Sequence, residues 1–442
     1  MKAKDRNTTP AARTTAPVPK AIKPGNTEGT ATHADTDANP GAGLGANVQH
    51  QKHHIQLLQG GAQFFPALVA AIDAAQSEVR LETYIFNDDA SGGAVADALI
   101  RAARRGVKVF FVVDGVGTGN PSNERLASFK AAGVQCLVFS PLGRLGLLVP
   151  SRWRRLHRKL CVVDQRIAFC GGINLLDDFF DPGYGKLDAP RLDFAVMIEG
   201  PLVSDAAQAM SVLWRRLMAA GDWRQHRVRA AVRDLQRTEP TDATAPKVAA
   251  HTVLAELLLR DNFRNRTRIE RAYRAAIAGA KTDIIIANAY FLPGRKLRQG
   301  LIHAARRGVR VRLLLQGRYE YFMQYHASRP VYDPLLAAGV EIHEYARSFL
   351  HAKVAVVDDQ WATVGSSNLD PLSLLLAREA NVVVRHAGFA RDLRMQLEDV
   401  MHGEGAPVNI ATLAKRPWSQ RILDRFAFAV MRAALLVGAR RY

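Results

Sequence analysis

An internal duplication sets the architecture of this chain. The segment AAIDAAQSEVRLETYIF at 70–86 is matched by AAIAGAKTDIIIANAYF at 275–291. Further along, AARRGVKVFFVVDG at 102–115 is matched by AARRGVRVRLLLQG at 304–317. Because these pairs recur in the same order at nearly constant spacing, each copy is predicted to form the same structural unit.

Within each copy, helix-like segments alternate with uniformly apolar runs, such as those at 79–86 and 107–113. Apolar strands of this kind predict a sheet that is covered on both faces and largely parallel. The predicted fold class is α/β, with two tandem homologous α/β/α domains packed with pseudo-twofold symmetry and one active site shared at their interface. The predicted divisions are a disordered tail (1–48), a first domain (49–221), a linker (222–250), a second domain (251–405) and a basic amphipathic C-terminal segment (406–442).

The charge balance limits the classes of function. Among 442 residues, 60 are Lys or Arg and 41 are Asp or Glu, which gives a formal net charge of +19. This excess favours an anionic partner: nucleic acid, an acidic membrane surface or a phosphate-bearing substrate. The three cysteines lack CxxC spacing and predict neither a disulfide framework nor a zinc site. The sequence predicts no signal peptide and no membrane span, because no window reaches the roughly 18–20 apolar residues that a span needs.

One motif occurs once in each copy. Residues 157–174 (HRKLCVVDQRIAFCGGIN) and 351–368 (HAKVAVVDDQWATVGSSN) both fit H-x-K-x(4)-D-x(6)-G-[GS]-x-N. Side chains alternate along a strand, so the His and Lys of each copy share one face. An ammonium beside an imidazole suits an anionic phosphate, which the Lys stabilises while the His attacks phosphorus or moves a proton. The predicted pairs are His157 with Lys159 and His351 with Lys353.

Other positions of the motif are weaker candidates. Asn174 and Asn368 each supply an amide for phosphate binding or for orienting an imidazole. Gly172 and Ser366 fit either a ligand contact or a simple tight turn. A single His and Lys on a strand is more often an ordinary surface pair. The recurrence of the whole pattern at matching points of a duplication favours an active site instead.

At these residues the chain resembles the phospholipase D superfamily, which is defined by a paired HxK motif, and within it the bacterial cardiolipin synthases. The resemblance covers about residues 50–440. The segments that support it are HHIQLLQGGAQFFPAL at 53–68, ANAYFLPG at 287–294 and WATVGSSNLDPLSLLLAREANVVV at 361–384. It implies the phospholipase D fold, no metal and no cofactor. It also implies phosphatidyl transfer between two phosphatidylglycerol molecules, giving cardiolipin and glycerol.

The resemblance also implies a role for each matching residue. His157 is the expected nucleophile, forming a phosphohistidine, and His351 the expected acid and base. Asp164 and Asp358 are expected to order the site. The further implied roles are phosphate binding by Lys159, Lys353, Asn174, Asn368, Ser366 and Gly172, and histidine orientation by Asp193 and Glu379. One departure is Gly172, where the family pattern more often has Ser, so a hydroxyl is absent there.

A lipid substrate requires contact with a bilayer. Residues 143–158 (GRLGLLVPSRWRRLHR) mix apolar and basic side chains directly before the first motif, which suits an anionic membrane surface or, alternatively, nucleic acid or plain solvent. The stretch 418–442 is either an interfacial helix or an ordinary packing helix. The expected location is peripheral, on the cytoplasmic face of the bacterial inner membrane. No obligatory protein partner is evident.

Three classes of function are open to a chain with these features. The first is cardiolipin synthesis from phosphatidylglycerol. The second is phosphodiester hydrolysis, by a nuclease or by a phospholipase D with water as acceptor. The third is an inactive lipid- or nucleic-acid-binding protein, against which the two complete motifs argue. The extended resemblance and a shortage of aromatic residues near the motifs argue against the nuclease.

Overall fold

Each half of the chain forms one twisted sheet with helices packed on it. The computed structural model describes residues 53–119, 121–141, 146, 153–224, 253–261, 265–370, 377–414 and 416–440. The predicted tail and most of the predicted linker lie outside these residues. The strands of the first half are β1 (His54–Gln59), β2 (Glu78–Thr83), β3 (Lys108–Asp114), β4 (Gln135–Phe139), β5 (Arg155–Leu156), β6 (Lys159–Val163), β7 (Ile167–Gly171), β8 (Phe180–Asp181), β9 (Gly185–Lys186) and β10 (Phe194–Glu199).

The second half repeats the series. Its strands are β11 (Leu254–Arg260), β12 (Asp283–Asn288), β13 (Arg310–Gln316), β14 (Glu341–Tyr345), β15 (Lys353–Val357), β16 (Trp361–Gly365), β17 (Ala377–Arg385) and β18 (Gly405–Val408). The helices of both halves are α1 (Gly60–Asp73), α2 (Ala90–Arg104), α3 (Asn123–Ala132), α4 (Leu202–Arg224), α5 (Arg268–Gly279), α6 (Arg295–Arg306), α7 (Phe322–Leu336), α8 (Ala387–Glu404), α9 (Ile410–Ala414) and α10 (Trp418–Arg440).

The two sheets share one strand order. The first runs β1-β10-β7-β6-β2-β3-β4 and the second β11-β17-β16-β15-β12-β13-β14-β18. Only β2-β3-β4 and β12-β13-β14 pair in parallel, and the other pairs on these two paths are antiparallel. The prediction of a largely parallel sheet was therefore wrong. Apolar runs indicate burial on both faces but carry no information about strand direction.

A tight turn accounts for the antiparallel pairing of the motif strands. Asp164 and Gln165 connect β6 to β7 with φ of 49° and 53°, and Asp358 and Asp359 connect β15 to β16 with φ of 52° and 50°. Aspartate tolerates this left-handed conformation better than most residues. Each motif strand is thus the first arm of a hairpin, a connection too short for a parallel crossover.

The two halves share one apolar core. It combines Leu160 and Val162 of β6 with Val354 and Val356 of β15, and α4 and α8 contribute to it from either half. A second cluster lies under α1 and α2 and a third under α5, α6 and α7, so each sheet is covered on both faces. Such a shared core holds the halves in a fixed relation.

Two predicted domain boundaries fall inside elements. Helix α4 continues to Arg224, past the predicted start of the linker at 222. Strand β18 pairs with β14, so residues 405–408 complete the second sheet. The division into domains otherwise stays a prediction.

Candidate active site

The two histidines lie where the halves meet. The backbone N–H of His157 donates to the carbonyl of Arg378 at 3.0 Å, and that of His351 donates to the carbonyl of Leu192 at 2.8 Å. Just before His157, the short strand β5 pairs in parallel with the start of β17. Each histidine is therefore held by main chain from the opposite half, and the residues of both motifs converge on one site.

The orienting carboxylates are exchanged between the halves. The Nδ1 atom of His157 lies 3.1 Å from the carboxylate of Glu379, and the Nδ1 of His351 lies 2.6 Å from the carboxylate of Asp193. Both carboxylates are buried, with exposed fractions of 0% and 1%. A carboxylate at Nδ1 favours the tautomer that carries its proton there, which leaves Nε2 with a free electron pair.

The two carboxylates are supported differently. The hydroxyl of Ser366 donates to Glu379 at 2.5 Å and accepts from the N–H of Ala380 at 3.0 Å. At the matching position of the first half, a Cβ on Gly172 would overlap the carboxylate of Asp193. The structure therefore places the Ser366 hydroxyl on the orienting acid, whereas the sequence assigned it to phosphate. The absence of a side chain at Gly172 makes room for the shorter Asp193.

Both lysines are buried beside the histidines. The Nζ of Lys159 donates to the carbonyl of His157 at 2.7 Å, and the Nζ of Lys353 makes the equivalent bond to His351. Burial, together with the charge of Lys353, lowers the pKa of Lys159 to about 7. Burial lowers the pKa of Lys353 to about 8. Burial therefore disfavours the charged form of both lysines, and a bound anion would favour it.

The histidines respond to the same environment. Burial lowers the pKa of His157, and the nearby Glu379 carboxylate partly offsets this. Burial and both lysines lower the pKa of His351 well below its usual value. Both imidazoles are therefore neutral at pH 7 while no anion is bound. A bound phosphodiester carries a negative charge, which raises the pKa of both histidines.

The side chains of the two motif asparagines differ in their hydrogen bonding. The Oδ1 of Asn174 accepts from the N–H of Ile85 at 3.1 Å. The side chain of Asn368 is 2% exposed, and among the described residues its Oδ1 has no hydrogen-bond partner. Turning this amide over directs an NH2 group to the same point, where it can donate to a phosphate oxygen. Phosphate binding by these amides stays a prediction.

The motif aspartates lie away from the histidines. The carboxylate of Asp164 accepts from the N–H groups of Gln76, Ser77 and Glu78, each at 2.8 Å. That of Asp358 accepts in the same way from residues 281–283. Both groups stand at the far end of the motif strand, about 20 Å from the imidazole at roughly 3.3 Å per residue. These contacts fix each hairpin against the neighbouring strand. The expected role of both aspartates in ordering the site stays a prediction.

Sequence reasoning missed several neighbours of the site. The ring of Tyr84 lies 4.8 Å from that of His157, and the Nζ of Lys159 lies 5.4 Å from the Tyr84 centroid. The carboxylate of Asp114 accepts from the N–H of Leu156 at 2.8 Å, and the Gln316 side chain accepts from Leu350 at 3.2 Å. The sequence does carry a signal for two of these residues. Asp114 ends the apolar strand β3, and Gln316 ends the matching strand β13 of the second copy.

Few aromatic residues are near the motifs in the sequence, but the structure brings some close to them. The fold brings an exposed ring of the first half next to the second motif. The Tyr184 hydroxyl donates to the carbonyl of Tyr319 at 2.5 Å, and the Tyr184 ring lies 5.1 Å from that of Phe349, two residues before His351. Six exposed rings lie on the segments that carry Tyr184 and Tyr319, namely Phe179, Phe180, Tyr184, Tyr319, Tyr321 and Phe322. We refer to these six residues as the aromatic rim.

Solved structures share this fold. The phosphatidylserine synthase of Haemophilus influenzae Rd KW20 aligns with a TM-score of 0.63 at 14% identity, over 87% of this chain and 94% of that one. A polyphosphate kinase from Porphyromonas gingivalis aligns with a TM-score of 0.53 at 14% identity, over 86% of this chain and 53% of its own. A duplicated mixed sheet with one HxK pair from each half at the seam defines the phospholipase D class.

Sequence comparison narrows the class. The family model described as "Cardiolipin synthase, PLD-like domain" matches residues 68–189 and 273–401. Cardiolipin synthase B of Escherichia coli K12 is 39% identical over 379 residues, 86% of this chain and 87% of the relative. The cardiolipin synthase of Geobacillus kaustophilus is 30% identical over 83% of this chain and 70% of the relative. The chain therefore belongs to the cardiolipin synthase family of phospholipase D-like proteins.

Proposed function

We propose that this chain is a cardiolipin synthase that transfers a phosphatidyl group from one phosphatidylglycerol to another and releases glycerol. The observation that carries the proposal is the pair of histidines at the seam, each with a buried carboxylate on Nδ1 and a buried lysine beside it. The family membership supplies the lipid. The same residues account for a two-step transfer that needs only one site.

In the first step the Nε2 of His157 attacks the phosphorus of a bound phosphatidylglycerol. The N–P bond forms as the bond between phosphorus and the glycerol oxygen breaks, and His351 donates a proton to that oxygen. Free glycerol leaves, and the phosphatidyl group remains on His157 as a phosphohistidine. Glu379 stabilises the imidazolium character that develops on His157. Lys159 and Lys353 balance the charge on the non-bridging oxygens.

In the second step a hydroxyl of another phosphatidylglycerol takes the place of glycerol. His351 accepts its proton, the oxygen attacks phosphorus, and the N–P bond breaks. Two phosphatidylglycerol molecules thus give one cardiolipin and one glycerol, with no net proton change. His351 must be protonated in the first step, and the anionic substrate supplies the charge that raises its pKa for this role.

We further propose that the enzyme lies on an anionic bilayer, at the cytoplasmic face of the inner membrane. Among the described helices, none has a stretch long and apolar enough to cross a membrane. Helix α10 instead exposes an apolar stripe at four-residue spacing, formed by Trp418, Ile422, Phe426 and Val430. Exposed arginines lie beside this stripe, and such a combination suits the boundary between lipid headgroups and acyl chains.

Helix α10 packs next to one member of the aromatic rim. Helix α10 packs on α7 through its buried face, where His326 Nδ1 lies 2.6 Å from Asp424. The ring of His326 is also 4.7 Å from that of Phe322, a member of the rim. Aromatic rings with polar edges partition to bilayer interfaces, so rim and stripe together are suited to present the site to lipid. The loop at 143–152 lies almost entirely outside the described residues.

The function is tested with the purified full-length protein on phosphatidylglycerol vesicles, and separately on single- and double-stranded DNA. We expect free glycerol and cardiolipin in equal amounts, both abolished by His157→Ala. Phosphatidic acid without cardiolipin would indicate a phospholipase D that uses water. DNA cleavage without any lipid product would refute the proposal in favour of a nuclease.

The membrane surface is tested by sedimentation with vesicles. Replacing both Ile422 and Phe426 with Asp should release the protein from phosphatidylglycerol vesicles. The matched control is Ser419→Asp combined with Gln420→Asp, which adds the same two negative charges at other exposed positions of α10. Equal binding of wild type and the double variant would show that α10 is only a packing helix.

A further inference from the structure

The pseudo-twofold symmetry breaks in the loop that follows the third strand of each half. After β3 the chain reads GVGTG at 115–119, and after β13 it reads GRYEY at 317–321. In the first half this loop closes on main chain, since the Thr118 hydroxyl donates to the carbonyl of Tyr84 at 3.0 Å and a Cβ on Gly117 would overlap the same residue. The second half places large polar side chains at the matching position.

These side chains line a small pocket. Its walls include Tyr290, Gln316, Glu320, Tyr321 and Tyr325. The Tyr290 hydroxyl donates to Glu320 at 2.9 Å, and the rings of Tyr290 and Tyr321 are 5.9 Å apart. The pocket thus offers a carboxylate, phenol hydroxyls and an amide within one small volume. This is the set of donors and acceptors that recognises several neighbouring hydroxyl groups.

The pocket adjoins the histidine that handles the alcohol. Gln316 accepts from the N–H of Leu350, directly before His351, and the N–H of Ala289 donates to the carbonyl of Ala352, directly after it. Glu320 is also close enough for its charge to raise the pKa of Lys353. The pocket wall is therefore built on the two chain neighbours of His351.

By microscopic reversibility, the leaving and the entering alcohol occupy the same position beside the acid and base. We propose that the pocket formed by Tyr290, Gln316, Glu320 and Tyr321 binds the polyol headgroup at that position. Its occupants are the glycerol that leaves and the glycerol moiety of the incoming phosphatidylglycerol. The inference rests on the proposed function. It assigns the choice of acceptor to the loop at 317–321, whose large polar side chains have no counterpart in the matching loop at 115–119.

The chemistry predicts which acceptors are preferred. Glu320 accepts a hydrogen bond from a secondary hydroxyl of the headgroup, and Tyr290 offers a second polar contact. An alcohol with the same three-carbon chain but no further hydroxyl leaves Glu320 with only its bond from Tyr290 and makes no polar contact of its own. Sites built to bind a hydroxyl discriminate strongly against its absence. Glycerol should therefore outcompete 1-propanol as acceptor.

The test uses the full-length enzyme on phosphatidylglycerol vesicles with equal amounts of labelled glycerol and labelled 1-propanol. The ratio of labelled phosphatidylglycerol to phosphatidylpropanol reports acceptor choice alone, because both alcohols attack the same phosphohistidine. We expect wild type to favour glycerol, and Glu320→Ala to lower this ratio by about tenfold or more, the loss of one charged hydrogen bond. Tyr290→Phe, which removes only the hydroxyl, should lower it less.

The matched control is Glu341→Gln, a carboxylate of the same half whose side chain is 40% exposed and bonded to Arg310. Its ratio should equal that of wild type. A ratio in both Glu320→Ala and Tyr290→Phe that stays within about twofold of wild type would overturn the inference, as would a wild-type preference for 1-propanol over glycerol. Wild type that forms phosphatidic acid and phosphatidylpropanol but no cardiolipin would overturn the proposed function, while the ratio still tests the pocket. A protein that releases no glycerol from phosphatidylglycerol would overturn both.

Discussion

The exchange of carboxylates between the halves makes a prediction about which residues act together. Glu379→Gln keeps the size of the side chain and removes its charge. The carboxylate is fully buried and bonds both the Nδ1 of His157, at 3.1 Å, and the hydroxyl of Ser366, at 2.5 Å. Losing a charge-assisted hydrogen bond costs about 1.5–3 kcal/mol. At 1.36 kcal/mol per factor of ten, this is a loss of about 10- to 150-fold in rate.

The loss should exceed that range if the new amide also fixes the wrong tautomer. An NH2 group facing Nδ1 favours the imidazole whose proton sits on Nε2, and such an imidazole has no electron pair for phosphorus. In a comparable triad this effect lowers kcat by about 10⁴-fold. Glu379→Gln is therefore expected to reduce cardiolipin formation by at least an order of magnitude without unfolding the protein.

The assay compares two donors. Phosphatidylglycerol needs a proton on its leaving glycerol, whereas a p-nitrophenyl ester of phosphatidic acid releases an anion that needs none. The measured quantity is the initial burst of nitrophenolate. A variant that has lost only the general acid should still give this burst, whereas a variant that has lost the nucleophile should not. We expect Glu379→Gln to behave like His157→Ala, with no rescue, and Asp193→Asn to behave like His351→Ala, with a restored burst.

This pairing of variants tests the contacts between the two halves, and the test does not depend on which histidine is the nucleophile. If His351 were the nucleophile, the two groups would exchange behaviour but keep their members. If Glu379→Gln instead grouped with His351→Ala, the carboxylate would serve the histidine of its own half. The cross-half contacts would then not be those used in catalysis.

Three further predictions concern charge, turns and space. The pKa values of Lys159 and Lys353 are lowered to about 7 and 8, so both lysines lose their charge as pH rises through these values. We therefore expect kcat/KM for phosphatidylglycerol to fall above pH 7. A pH profile that stays flat to high pH would contradict this. Asp164→Ala should lower stability by about 1–3 kcal/mol in thermal unfolding while changing kcat little, because its hydrogen bonds lie at the far end of the strand; a large fall in kcat would place it in the reaction. Gly172→Ser should displace Asp193 from His351 and lower cardiolipin formation by about tenfold or more; full activity would show that the carboxylate has room to move.

Much of the fold and of the site could be predicted from the sequence. The duplication predicted two equivalent α/β units, and both units have the same strand order. The alternation of side chains along a strand predicted that His157 and Lys159 share a face. The structure brings both close to His351 and Lys353, since charges on each pair lower the pKa values of the other.

Other features depend on information that a linear pattern lacks. Strand direction is set by the length and geometry of connections, so apolar runs alone could not distinguish parallel from antiparallel pairing. The partners Asp193 and Glu379 are defined only by the packing of the halves, because a residue's position within its own copy does not reveal which histidine it meets. The aromatic rim is likewise assembled from segments far apart in the chain. The placement of Asp164 was predictable in principle, since seven residues of extended chain separate it from His157.

The exchange of main-chain and carboxylate contacts has a consequence for the enzyme during its synthesis. A ribosome-bound chain that has folded only its first half holds His157 without Glu379 and without His351, the proposed acid for the leaving alcohol. Such an intermediate has no complete set of reacting groups and cannot cleave lipid into phosphatidic acid. Reactivity begins only when the second half docks, so completion of folding itself controls when the chemistry starts.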